Sequence, residues 1–150
     1  MKNYIVLFLT TICITLCFET TKSQNLNAKI KSQETIKTQV IVQKILDIPE
    51  IQWIYHPEIK NRIPVKLLET KKINKNIQLI KFNKKIIIIS TTNENTCKDC
   101  LKINYRTINK NTISFKMAYP IEGVTLSGKL LRVNKEWKLF FLSITERKQK

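Results

Sequence analysis

Cys97-Lys98-Asp99-Cys100 is the sharpest local feature of the chain. Two thiols at this spacing can ligate a metal, cycle as a redox pair or close a small disulfide. A structural zinc site takes four ligands, and beyond Cys97 and Cys100 the chain after its first 23 residues offers only His56 as a further soft ligand. No metal is expected. A redox-active pair gains from a helix N-terminus, whose dipole lowers the thiol pKa. Here the pair runs directly into Leu101-Lys102-Ile103-Asn104-Tyr105, which alternates like a strand. The expectation is a disulfide in an oxidising compartment that tightens the loop before that strand. A loop so short limits its contribution to at most ~2 kcal/mol.

His56, the one histidine, lies between Tyr55 and Pro57. A lone histidine can act as a general base, although the end of an element is more commonly a capping or surface position. Glu122 sits in the turn Pro120-Ile121-Glu122-Gly123 and could aim a carboxylate into a cleft; a solvated turn acid is the commoner case. Trp53 and Tyr55 could line a ligand site, while such aromatics more often plug the end of a core and keep a polar tip wet. Trp53, Tyr55, His56 and Glu122 together form the candidate pocket. A small hydrolase or isomerase with His56 or Glu122 as its acid–base is one alternative function. No catalytic residue is assigned, because no nucleophile elbow, H-E-x-x-H, phosphate loop or dinucleotide fingerprint is present. With two glycines in the whole chain, phosphate-cradling loops are nearly excluded. No cofactor is expected, and the balance is against an enzyme.

The one extreme of composition is charge, +16 over 150 residues. Such a balance suggests a polyanion partner. Lysine outnumbers arginine 23 to 4, however, whereas phosphate recognition tends to use the planar arginine fork. Ile, Lys and Asn together make up 60 of the residues, a composition that A/T-rich codons alone would produce. A nucleic-acid partner is therefore not favoured. If the charge does work, its candidate surface is a sheet face bearing Lys102, Arg106, Lys116, Lys129, Arg132 and Lys138, for nucleic acid or an acidic polysaccharide.

These residues must be positioned by a small set of elements. Met1-Lys2-Asn3, the apolar run Tyr4 to Phe18 and Thr21-Lys22-Ser23 have the layout of a cleavable signal peptide, residues 1–23, with the mature chain starting at Gln24. The run is shorter than a membrane span, so no stable span is expected after cleavage. The destination is the periplasm or the exterior. Residues 24–150 are expected to form one α+β domain. Ser32 can cap a helix from Gln33, whose apolar stripe would be Ile36, Val40, Ile41, Ile45 and Ile48. Pro49 opens a short second helix that His56-Pro57 ends. Val65 to Leu68 is a helical turn or a strand, Ile77 to Phe82 is a strand, and Ile86 to Ile89 is an apolar β-branched run best kept covered.

From Leu101 to Glu146 the pattern is a four-strand antiparallel meander. Turns at Asn109-Lys110-Asn111, Pro120 to Gly123 and Asn134-Lys135-Glu136 separate its strands. Ile113, Phe115, Met117 and Tyr119 are expected on the same buried side as Trp137, Leu139 and Phe141, with the helix packing there through Ile41 and Ile45. The fold class is thus α+β, one or two N-terminal helices packed on a curved antiparallel sheet that ends in the meander.

Helices followed by the stretch from Asn111 to Leu130, and then Val133-Asn-Lys-Glu-Trp-Lys-Leu, resemble the nuclear-transport-factor-2-like and cystatin-like group of α+β domains. The end of the chain is also similar to small secreted proteins of unknown function whose last strand opens with Trp-Lys. The resemblance implies a curved sheet around a helix, with a cone-shaped pocket used by some members for catalysis and by many only for binding or dimerisation. None of the enzymatic members' pocket residues has a counterpart here. The resulting expectation is a secreted or periplasmic non-catalytic domain that binds a protein partner or a small apolar ligand, with a homodimer through the sheet as a further expectation.

Overall fold

In the computed structural model, residues 29–90 and 97–147 are described. The leader, the start at Gln24 and most of the polar loop before Cys97 lie outside them. The chain divides into two compact units, Met1–Ile36 and Lys37–Lys150, and the boundary falls inside helix α1, residues 29–46. Of the first unit, residues 29–36 are described; they are helical, and Ile30 and Ile36 are exposed. No helix among the described residues is long and apolar enough to cross a membrane.

In the second unit α1 buries Thr38, Ile41, Val42, Ile45 and Leu46. That is the i, i+3, i+4, i+7, i+8 series of one helix face. Ile41, Ile45 and Ile48 are buried as expected, but Ile36 and Val40 from the expected stripe are exposed. The real stripe opens on a polar residue: Thr38 Oγ1 lies 2.8 Å from the Tyr105 hydroxyl, which makes its burial cheap. Ser32 lies inside the helix rather than at its cap. Pro49–Tyr55 follows as a 3-10 helix with proline at its start and His56 in the left-handed region after it.

Six strands form one sheet in the order β4 (Ile87–Ile89), β1 (Lys66–Leu68), β5 (Cys100–Asn109), β6 (Thr112–Tyr119), β7 (Val124–Val133), β8 (Glu136–Glu146). β5 to β8 are the antiparallel meander, and β1 runs parallel to both β4 and β5. β2 (Ile80–Lys81) and β3 (Lys84–Lys85) make a separate hairpin. The fold is therefore α+β, mostly antiparallel, with a parallel extension at one side of the meander. The Ile86 to Ile89 run is only partly covered: Ile86 is buried, but β4 is the edge strand and Ile87 is exposed.

Ile103, Ile113, Phe115, Met117, Tyr119, Val124, Leu126 and Leu130 form the inner face of the meander and share one core with Ile41, Ile45 and the 3-10 helix residues Ile51, Ile54 and Tyr55. Gly128 is required on that face. The Phe115 side chain lies over it from the neighbouring strand, and a Cβ at 128 would stand 2.4 Å from the Phe115 ring.

One expected inward residue is turned out. Trp137 and Leu139 pack against the core, but Phe141 is 51 % exposed. The register explains it. Leu130 pairs with Leu139 while Lys129 pairs with Phe141, so Phe140 is an extra residue on β8. A bulge of this kind puts two residues opposite one and reverses the alternation beyond it. After Phe140 the inward positions are Leu142 and Ile144, opposite Gly128 and Leu126, and Phe141 falls opposite Lys129 on the outer face. The double-sided apolar pattern of β8 is thus two single-sided patterns joined at a bulge.

Candidate functional site

Three surfaces hold the residues that could act. The first is built where the 3-10 helix ends. His56 adopts φ 45°, and its Nδ1 lies 2.8 Å from Glu58 Oε1 while its Nε2 lies 3.5 Å from Glu122 Oε2. The other Glu122 oxygen accepts from Arg62 Nη2, and Arg62 Nη1 donates to the Tyr119 hydroxyl at 3.1 Å. Gly123, with φ 65°, closes the 3-10 turn Pro120–Glu122 and fixes where Glu122 starts. The sequence brings His56 and Glu122 together from 66 positions apart, and Arg62 and Tyr119 complete the set. Neither was apparent beforehand, because Arg62 lies in an irregular stretch and Tyr119 reads as a strand residue.

Glu58 has its carboxyl held below the usual range, first by its own backbone N–H and then by His56. Glu122 is already shared between a guanidinium and an imidazole, which ties the 3-10 helix to the β6–β7 turn. Of the other two candidate pocket residues, Trp53 is 46 % exposed and donates its indole N–H to the Glu50 carbonyl at 3.0 Å. Tyr55 is buried, and its hydroxyl donates to the Leu46 carbonyl at 3.0 Å. Burial, with Asp47 and Tyr119 nearby, pushes the Tyr55 phenol far above its ordinary value. The four candidates thus split into a polar pair, an exposed indole and a core phenol.

Tyr55 belongs to a different construction, the C-terminal end of α1. Leu46 O there accepts from Tyr55 Oη, from Gln52 Nε2 at 3.2 Å and from Lys81 Nζ at 3.0 Å. Lys81 is buried, pairs with Asp47 at 2.9 Å and lies 5.1 Å from the centre of the Tyr55 ring. A cation at this end of a helix faces the negative pole of the macrodipole. The hairpin that carries Lys81 turns through Phe82 and Asn83, both at positive φ, as a two-residue turn of this hand requires.

Cys97 and Cys100 are bridged, with Cα atoms 5.4 Å apart, and the bridge leads into β5. Asp99 between them pairs with Lys66 of β1. The sulfurs and the Asp99 carboxylate lie within 4.8 Å of one another, but bonded sulfurs are not thiolate ligands.

The second surface is the outer face of the meander. Pairing across the four strands puts Lys102, Ala118, Thr125 and Thr145 in one row, and Asn104, Lys116, Ser127 and Ser143 in the next. Arg106, Ser114, Lys129 and Phe141 form the third row, and Asn109, Thr112, Leu131 and Lys138 the fourth. Five of the six candidate basic residues are thus brought to one face. Arg132 is not among them: it pairs with Trp137 and has the parity of the inner face.

The third surface is β8 itself. It is the terminal strand of the sheet and the longest, at 11 residues, and its outer edge pairs with no other described strand. Phe140 is 68 % exposed on it. No protein family matches this chain, and neither does any curated protein or solved structure.

Proposed function

We propose that this chain is a secreted or periplasmic, non-catalytic binding domain that engages a protein partner by strand addition along β8. The observation that carries the reading is the open edge of β8 together with its exposed phenylalanines. An unpaired edge offers a row of backbone N–H and C=O groups to an incoming strand, and natural sheets usually shorten, charge or cover such edges. On β8 the bulge at Phe140 protects only the first half. The segment from Phe141 to Glu146 is regular and pairs residue for residue with β7. Phe140 and Phe141 flank its start and supply aromatic anchors of the kind that dominate interfaces.

The order of elements that resembles nuclear-transport-factor-2-like domains supports the same reading, since many of those domains bind or dimerise through the sheet. A second copy of this chain is accordingly one candidate partner. A small apolar ligand finds its best support at the other edge, in a depression of about 290 Å³ lined by Ile77, Ile86, Ile87 and Ile88 with Lys75 and Lys85. The hydrolase or isomerase reading has one observation in its favour, the meeting of His56 with Glu122. The test of strand addition is Ile144→Pro, which removes a backbone N–H on the open side of β8 and opposes further pairing at the edge. The Arg147 N–H bond to Gly123 O and the pairing register turn the N–H groups of Ser143 and Thr145 toward β7 instead. Loss of partner binding, or of dimer in sedimentation, with a cooperative melt retained is expected. Unchanged association in this variant would refute the proposal.

A further inference from the structure

On the outer face of the meander the cations are not scattered. Lys102 on β5, Lys116 on β6, Lys129 on β7 and Lys138 on β8 each stand one strand across and one row along from the last. They form a diagonal with one ammonium per strand, and Arg106 flanks it, diagonal to Lys116. Diagonal neighbours on a sheet face are roughly 7–8 Å apart, so the track is on the order of 20–25 Å long. Opposite each of the five in its row stands Ala, Asn, Ser, Leu or Phe, never another cation. The sixteen positions of these four rows include no acid and six hydroxyl side chains; the nearest acids are Glu136, one row beyond Lys138, and Glu69, which lines the depression beside Lys102. Lys116, Lys129 and Lys138 are exposed.

We infer that this diagonal is a binding track for an acidic polysaccharide, a surface separate from the β8 edge. A line of charges at regular steps complements a linear polymer with fixed negative groups, whereas one small anion would need cations that converge. Four of the five cations are lysines, point charges without the planar fork that reads phosphate bidentately. The rows between them present hydroxyls and the Asn104 amide, which can exchange hydrogen bonds with sugar hydroxyls and carboxylates. Binding of single-stranded nucleic acid draws on bases stacked over successive aromatics. Phe141, on the outermost strand, is the only aromatic among the paired positions of this face. The observations therefore favour the glycan.

The position of the charges, and not their sum, is what must be tested in a chain of +16. The full chain is titrated with dextran sulfate, with neutral dextran and with an oligodeoxythymidine, over a range of salt. Two double variants are compared: Lys116→Gln with Lys129→Gln on the track, and Lys84→Gln with Lys85→Gln on the separate hairpin, all four residues exposed. Dextran sulfate should bind at low salt and neutral dextran should not. The track pair should weaken binding by about tenfold or more and lower the salt slope by about two contacts. The hairpin pair should change affinity by less than about twofold, as lost net charge alone would. Equal weakening by the two pairs would reduce the effect to net charge and overturn the inference. So would failure to bind dextran sulfate, binding of neutral dextran as well as of the sulfate, or binding of the oligodeoxythymidine as tightly as dextran sulfate.

Discussion

Gly128→Ala tests the packing of the meander at its tightest point. A Cβ at this position would meet Phe115 Cζ at 2.4 Å, Phe115 Cε1 at 2.6 Å and the Phe141 carbonyl oxygen at 2.7 Å. Ordinary carbon contacts are about 3.5–4.0 Å, so the ring must move by roughly 1 Å in a core where it is fully buried. Overpacking of this kind costs about 1–3 kcal/mol. The upper end is expected, because the Phe141 oxygen is backbone beside the bulge and cannot swing away. Phe115→Leu shortens the obstructing side chain and should cost about 1–1.5 kcal/mol on its own. The double variant should then be less destabilised than the two singles added together, by about 1 kcal/mol, since residues in direct contact couple. Urea melts of the four proteins give the cycle. Strict additivity, or a Gly128→Ala variant as stable as the parent, would show that Phe115 does not lie over Gly128 and that the inner face is assigned wrongly.

Phe115→Ala should cost about 3–5 kcal/mol by urea melt, and Lys116→Ala, one position away on the outer face, under about 0.5 kcal/mol; the reverse order would turn the sheet inside out. Lys81→Met should lower stability by about 1–2 kcal/mol through loss of the bonds to Leu46 O and Asp47 at the end of α1, and an unchanged melt would remove Lys81 as the cap. Tyr55 is held neutral by burial, so its contribution is complete below the unfolded phenol pKa near 10 and is lost as pH rises above it. Tyr55→Phe should therefore cost about 1 kcal/mol at neutral pH yet flatten the fall in stability above about pH 10; an equally steep alkaline fall in the variant would contradict this. Intact mass of exported protein should correspond to a chain starting at Gln24, and a mass that retains Met1 to Ser23 would refute cleavage.

Much of the fold was legible because alternation is a local signal. Ile113, Phe115, Met117 and Tyr119 announce their face directly, and Gly123 and Pro120 mark the turn that follows. Phe141 was misplaced because a bulge leaves no mark in composition: four apolar residues in a row, Leu139-Phe140-Phe141-Leu142, fit a continuous alternation or a break equally well. The true stripe of α1 was partly hidden because Thr38 is polar by type and is buried only through a partner 67 positions away. Of the surfaces, the basic face could be listed residue by residue, yet its diagonal could not be seen, because rows are set by pairing register and not by any one strand. Arg132 shows the same limit from the other side. His56 and Glu122 could each be singled out, but Arg62 and Tyr119, which join them, carry no local signature.

The most direct test of the binding function is a photo-crosslinking amino acid placed at Phe140, with the same group at Lys84 on the hairpin as its control, in the native host. Strand addition at β8 predicts a discrete protein adduct from position 140 that is absent from position 84 and lost when Ile144→Pro is added. No adduct from position 140, or the same adducts from both positions, would contradict it.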